Sequence, residues 1–316
     1  MTTDHAKIAR LEALAALSGV MIALQSRANG ELSHRLNNSI EAAFVSFSSG
    51  LIILIVIAMF SAQVRQGMRN LNVALKDGRI PLWQIPAGVL GGFFVALQTH
   101  VVPLIGVAIY SVASIAGQTG ISLFVDRIGL TGGGKKLISK RRVAAAFVTV
   151  AAVLVSVLDK FSVATFSIFA VVLSLAAGTM VGVQRALNGQ INEHTKVSFS
   201  TSLLNFITGT TTLAIIWLIG ILSGHGSING LPGWNLLLYT GGGIGVVYIA
   251  FTSTIVQHLG VLTFTLFSVG GTLIGSLLID LLIPSHGIGV SWYLITGIAM
   301  TYIGVIIGGQ SRLFKR

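Results

Sequence analysis

The chain has 316 residues, of which 53% are hydrophobic and only 9% charged, and its mean hydropathy is +0.87, which excludes a water-soluble globular protein. It has no cysteine, so disulfide frameworks, zinc–thiolate sites and iron–sulfur clusters are excluded, and no cofactor or metal is expected. The net charge of +11 raises the question of nucleic acid, but the cations fall in loops between apolar segments, so no nucleic-acid partner is expected.

Residues 197–279 contain no Asp, Glu, Lys or Arg. A membrane span takes about 20 mostly apolar residues, so this stretch alone holds several. Only α-helices and closed β-barrels satisfy every backbone group in hydrocarbon. The segments are long and continuously apolar, without period-two alternation, so the fold class is all-α integral membrane. In chain order, ten transmembrane helices are expected near 9–28, 41–64, 82–102, 106–126, 142–158, 162–186, 198–222, 234–256, 261–283 and 291–310. Pro103, Gly106, Pro232, Gly233, Gly260 and Pro284 punctuate them. No small-residue cleavage site follows the first apolar stretch, which reads as a retained span. The basic, mildly amphipathic segment 65–79 reads as a loop helix at the headgroups. No soluble domain is expected.

The charges set an orientation. With a cytoplasmic N-terminus, the inside segments carry Lys7, Arg10, Arg65, Arg69, Lys76, Arg79, Arg127, Lys135, Lys136, Lys140, Arg141, Arg142, Arg185, Lys196, Arg312, Lys315 and Arg316. The outside segments carry only Arg27, Arg35 and Lys160. By the positive-inside rule this is a multi-pass protein of the cytoplasmic (inner) membrane with both termini cytoplasmic.

The two halves resemble each other. Gly19, Met21, Gln25, Asn29 and Gly30 recur 159 positions later as Gly178, Met180, Gln184, Asn188 and Gly189, and Phe47 and Gly50 recur as Phe206 and Gly209. A second block is offset by 154: Gly88, Gly91, Gly106, Val107, Gly117 and Asp126 recur as Gly242, Gly245, Gly260, Val261, Gly271 and Asp280. Residues 1–160 and 161–316 therefore read as two five-span repeats within one membrane domain. An odd number of spans inverts the second copy, and inverted repeats are a hallmark of secondary transporters.

The Gln25…Asn29 block, the Trp83…Pro86…Gly88…Gly91-Gly92 run, the Pro103-Leu-Ile-Gly106 step and Gly117-Gln118…Asp126-Arg-Ile-Gly129 together resemble the YdcZ-like family of the drug/metabolite transporter superfamily. The likeness spans nearly the whole chain, here as a fused two-copy form. It implies a central cavity between spans 1–4 and 6–9, with spans 5 and 10 peripheral. The second half departs from the pattern: Thr272 stands opposite Gln118 and Ser200 opposite Glu41, so those positions do not play identical roles in both halves.

Several residues are candidates for a site. Gln25 and Asn29 share a helix face with Met21, and Gln184 and Asn188 repeat that face with Met180. These amides either line a central site or bond helix to helix. Gln118, Tyr110, Asn205 and Tyr248 are further polar or aromatic residues within spans. Arg27 and Arg185 either snorkel to the headgroups or serve an anion-pairing or gating role. Glu41 is a coupling candidate, or a dipole-favoured residue in the first turn of span 2, or a partner of Arg27 or Arg35. Asp126 and Asp280 end spans 4 and 9, where a carboxylate opposes the helix dipole, so each needs a partner. His100, beside Gln98 and Thr99, is either a gating residue or a bonded structural histidine.

Gly129-Leu-Thr-Gly-Gly-Gly134-Lys135-Lys136 nearly matches a phosphate loop, but it lacks the final Ser or Thr and the strand–helix context. Glycines four apart at Gly88/Gly92, Gly178/Gly182, Gly241/Gly245 and Gly271/Gly275 read as packing surfaces, internal or in a homodimer. The function read from the sequence is a secondary transporter, not an enzyme, moving a small polar or cationic metabolite or drug by alternating access, with proton coupling through a carboxylate. The alternatives are a membrane enzyme on lipid-linked substrates and a channel or scaffold. The partners are a small-molecule substrate and the lipid bilayer.

Overall fold

The structure, a computed structural model, describes residues 2–130, 138–160, 166–224, 226–233, 235–248, 261–284 and 289–309. Its helices are α1 (Thr2–Leu36), α2 (Ser39–Phe60), α3 (Ala62–Lys76), α4 (Ala87–Ile128), α5 (Lys140–Ser156), α6 (Ile168–Thr195), α7 (Ser198–Leu222), α8 (Leu236–Tyr248), α9 (Val261–Leu282) and α10 (Trp292–Gly309). Among the described residues, 6 helical segments are long and apolar enough to cross a membrane, and α8, α9 and α10 add shorter apolar helices. The amphipathic segment after α2 forms α3.

Helix α4 supplies two crossings. Its 42 residues would reach about 63 Å if straight, twice the hydrocarbon thickness of roughly 30 Å. The helix instead doubles back three residues after Pro103, at Gly106, whose φ of 81° and ψ of 165° suit glycine. Two observations show the reversal. The Phe94 and Tyr110 rings lie 6.4 Å apart, whereas a straight helix would separate them by about 24 Å. Both ends of the hairpin also meet one side chain: Gln84 donates to the Gln190 carbonyl oxygen, and Gln190 Nε2 donates to the Leu130 carbonyl at 2.7 Å. Spans 3 and 4 are thus the two arms of one helical hairpin.

Asp280 of α9 holds the turn. Its carboxylate accepts from the backbone N–H of Val107 at 3.1 Å and of Ala108 at 2.7 Å. These are orphan donors at the start of the second arm, where the helix dipole favours negative charge. The partner that Asp280 needs is therefore a helix N-terminus, with the Arg27 guanidinium near enough to act on it electrostatically. The side chain of Asp126 lies outside the described residues.

The first and sixth helices run further than hydropathy places them. α1 continues to Leu36 because Glu31 bonds Arg27 at 3.6 Å and Arg35 at 2.9 Å, each one turn away. It ends at Asn37, with φ 47°, and α6 ends at Lys196, with φ 59°. Those two left-handed residues are themselves 159 apart, so the repeat extends to how the helices stop.

Packing obeys the repeat reciprocally. A Cβ at Gly19 would sit 1.9 Å from the Ser268 carbonyl oxygen, and one at the equivalent Gly178 would sit 1.9 Å from the Ser114 oxygen. A Cβ at Gly271 would meet the Ala16 oxygen at 1.9 Å, and one at Gly117 the Leu175 oxygen at 2.1 Å. Gly242 against Ser46 repeats as Gly88 against Asn205. In every pair both partners shift by the sequence offsets and the halves exchange roles, as a two-fold axis requires. Phe47 and Phe206, equivalent to one another, stack across that axis at 5.0 Å. The glycine pairs singled out in the sequence all face other parts of this chain. α5 runs antiparallel to α10, with Gly297 against Ala152 and Ser156 and Gly304 against Ala145 and Thr149.

Long-range bonds tie like ends of the bundle together. At the basic end, Asn70 bonds Thr195, Ser200 bonds Val64, and Arg142 bonds Ser122. At the opposite end, Asn38 bonds Ser227 and Lys160 bonds Gly289. A methyl at Gly19 or Gly178 drives a main-chain oxygen away, so Gly19→Ala and Gly178→Ala should each destabilise by at least the ~1–3 kcal/mol of ordinary overpacking. Gly189, with no described atom within 4 Å of its Cβ position, should accept alanine and gain up to about 1 kcal/mol of helix propensity. Thermal melts of the three variants in detergent check this; equal losses in all three contradict it.

Candidate functional site

In the first half the amide face of α1 is sealed. Asn29, fully buried, donates to Gln98 Oε1 at 2.9 Å, and Gln98, also fully buried, donates to Ser26 Oγ at 2.8 Å. Asn29 Oδ1 has no hydrogen-bond partner among the described residues, and the buried Tyr110 hydroxyl lies beside Ser114 and Gln98. Gly241 packs against Asn29, and Gln25 Nε2 lies against Gly245. Gly30 is pressed onto Val102, where a Cβ would be 2.7 Å from Cγ1.

The second half builds a related but different network. Gln184 donates to Asn205 Oδ1 at 3.1 Å, and Asn205 donates to Asn188 Oδ1 and to the Thr201 carbonyl, both at 2.8 Å. Gln184 faces Gly91 as Gln25 faces Gly245. Arg185 Nη1 donates to Gln118 Oε1 at 2.7 Å, and Gln118 Nε2 donates to Ser114 Oγ at 3.3 Å. Four of the sequence candidates, Gln184, Asn188, Gln118 and Arg185, thus line neighbouring surfaces of α6 and the second arm of α4.

Equivalent positions on α1 and α6 differ in exposure. Ser26, Asn29 and Ser33 are 1%, 0% and 6% exposed. Their counterparts Arg185, Asn188 and Asn192 are exposed, half-buried and half-buried. Gly30 is buried, whereas Gly189 is exposed. The sealed face lies toward the α4 turn, and the open face lies toward the basic end.

Other candidates sit apart. Glu41 is buried in the first turn of α2, where Asn38 Oδ1 caps its N–H; its carboxylate accepts from Asn229 N at 3.2 Å and from Asn229 Nδ2 at 3.4 Å. It therefore fastens the loop after α7. Ser200, its counterpart, fastens α7 to α3 through the Val64 carbonyl. Arg27 and Arg35 both engage Glu31. His100 is exposed, turned away from the buried Gln98 and Thr99 beside it. Tyr248 is half-buried at the end of the described part of α8. The phosphate-loop look-alike falls largely on residues 131–137, outside the described residues.

Two connecting side chains, Gln98 and Asn205, stand at the centre of these networks. Asn205 is visible in sequence only as an amide in a charge-free span, and Gln98 only as a neighbour of His100. Neither belongs to the repeated motif, because the repeat matches Asn205 with Ser46 and Gln98 with Thr252.

Loss of the Asp280 carboxylate strands two backbone donors. Asp280→Ala should cost about 1–2 kcal/mol, the range of lost helix caps, and Asp280→Asn, which keeps one acceptor, should cost less. Melting curves in detergent measure both; an unchanged Asp280→Ala midpoint contradicts the capping role.

Comparison with known proteins bears on the family and the fold. A family model described as "Putative inner membrane exporter, YdcZ" matches the chain twice, over residues 11–155 and 169–307. A solved crystal structure is similar over 94% of both chains, with a TM-score of 0.56 and 16% identity, a likeness that bears on the fold alone. No curated protein matches the chain. With long apolar helices, an apolar exterior and both halves matched, the chain belongs to the YdcZ family of the drug/metabolite transporter superfamily, a family of multi-pass inner-membrane proteins of the transporter type.

Proposed function

We propose that the protein is a secondary transporter that moves a small polar molecule across the inner membrane by alternating access. Two inverted five-span repeats exchange conformations to do so. The observation that carries this reading is the contrast between equivalent faces: Gly30 is buried against Val102, while Gly189 is exposed. Two copies of one structural unit, held in unlike states and related by a two-fold axis, have an alternative of similar energy in which the states are swapped. With inverted repeats, that swap closes one end of the bundle and opens the other. Here the basic end is open, and under the positive-inside rule it faces the cytoplasm.

The polar groups supply a binding surface in an otherwise apolar bundle. Asn29 Oδ1 is buried without a hydrogen-bond partner among the described residues. An unsatisfied buried polar atom costs roughly 1–3 kcal/mol, a cost that a substrate or a change of conformation can relieve. The membrane-enzyme reading gains no support from the site, because its centre holds amides, a hydroxyl and one guanidinium rather than acids.

Purified protein in proteoliposomes should show saturable, counterflow-competent flux of a small polar solute, and absence of flux across a broad panel contradicts the proposal. A sharper test uses Gly189→Ala. In the swapped state residue 189 must pack as tightly as Gly30 packs here, so the variant should fold normally yet carry flux at least tenfold more slowly. Undiminished turnover in a well-folded Gly189→Ala protein contradicts the swap.

A further inference from the structure

Arg185 is the cation that the transport reading leaves unexplained. It lies ten residues before the end of α6 at Thr195, about 15 Å along the helix. Its guanidinium bonds Gln118, which sits midway along the second arm of α4. With 28 residues α6 is longer than a hydrocarbon core of roughly 30 Å, so Arg185 lies in the half of the span toward the basic end. The side chain is nevertheless exposed.

It does not face lipid. The outward side of α6 is marked by Phe169 and Val172, 68% and 53% exposed. At 100° per residue Arg185 lies on the opposite side of the helix, some 140–160° around. On one flank Gln184 packs against Gly91 of the first arm of α4, and on the other Gly178 and Gly182 pack against Ser114 and Ile121 of the second. Arg185 therefore lies on the side of α6 turned toward α4, beside Asn188.

Several described carboxylates are engaged elsewhere: Glu31 by Arg27 and Arg35, Asp77 by Arg79, Asp159 by Lys160, Asp280 by two backbone N–H groups, and Glu41 by Asn229. Among the described side chains no carboxylate pairs with Arg185. The equivalent position in the first half is Ser26, so the repeat does not demand a cation here. An ionised side chain within a membrane span is a candidate for function and calls for a counter-charge. The carboxamides of Gln118 and Asn188 beside it supply further polar atoms.

We propose that Arg185 binds the carboxylate of an anionic substrate, in the open state, with Gln118 orienting the guanidinium and Asn188 adjoining the site. The planar fork of arginine matches the two oxygens of a carboxylate. This names a substrate class for the transport site and rests on that reading. It differs from the cationic cargo expected from the sequence, because the charged group held by Gln118 is a guanidinium.

The test measures binding by intrinsic tryptophan fluorescence and by thermal shift on the full-length protein in low-chloride detergent buffer. Benzoate and lactate are the probes, with benzamide and lactamide as neutral controls. The carboxylates should bind saturably and the amides at least tenfold more weakly. Arg185→Gln should weaken carboxylate binding at least tenfold, and Arg185→Lys, which keeps the charge but loses the fork, should fall between. Unliganded melts establish that each variant is folded; Gln118→Leu, which leaves the arginine in place, should weaken binding several-fold. Equal binding of the amides, an equal effect of chloride alone, or undiminished carboxylate binding by folded Arg185→Gln overturns the proposal. Flux of neutral or cationic solutes that ignores Arg185→Gln overturns the proposal but leaves the transporter reading intact. Arg185-dependent carboxylate binding without flux of any solute does the reverse.

Discussion

Contact between helix backbones at glycine sets the form of this bundle. Lipid offers no hydrophobic drive to bring one helix against another, so the gain must come from close packing and internal hydrogen bonds. Gly19, Gly117, Gly178 and Gly271 each leave a Cβ-sized gap that a carbonyl oxygen of another helix fills. Because these contacts come in reciprocal pairs, they bind the halves into one interlocked unit: α1 lies on α9, and α6 lies on the second arm of α4. They also leave the amide faces of α1 and α6 pointing to neighbouring helices rather than to lipid.

That interlocking explains how one framework holds two conditions at once. The glycine seams are alike in both halves, while the chemistry above them is not: Ser26 opposite Arg185, Ser46 opposite Asn205, Thr272 opposite Gln118. Thr272 spends its hydroxyl on the Gly19 and Ser268 carbonyls, locking α9 to α1. Gln118 instead holds an exposed arginine. The symmetric part of the sequence builds the glycine seams, and the asymmetric part sets the polar groups beside them.

Much of this was legible in the residues. The two offsets, 159 and 154, were visible because the seams require glycine at fixed positions and the repeat preserved them. Pro103 and Gly106 marked the turn between spans 3 and 4. The reach of α1 was hidden, because charges at Arg27, Glu31 and Arg35 look like the end of a span until they are seen to pair along one helix face. The partner of Asp280 was hidden as well: a helix N-terminus carries no side-chain signature, and this one lies 173 residues away. Spacing showed that Gln25 and Asn29 share a face, but not that Gln98 closes it or that His100 turns away. Orientation about a helix axis depends on neighbours that come from the other half of the chain.

The central claim is that equivalent faces of the two halves are in opposite states. The cysteine-free chain allows a direct measurement with single cysteines at the equivalent positions 33 and 192. The rate of alkylation by a charged maleimide is compared for Ser33→Cys and Asn192→Cys in purified protein. The account predicts labelling at position 192 at least tenfold faster than at position 33. Equal rates, or faster labelling at position 33, would contradict it.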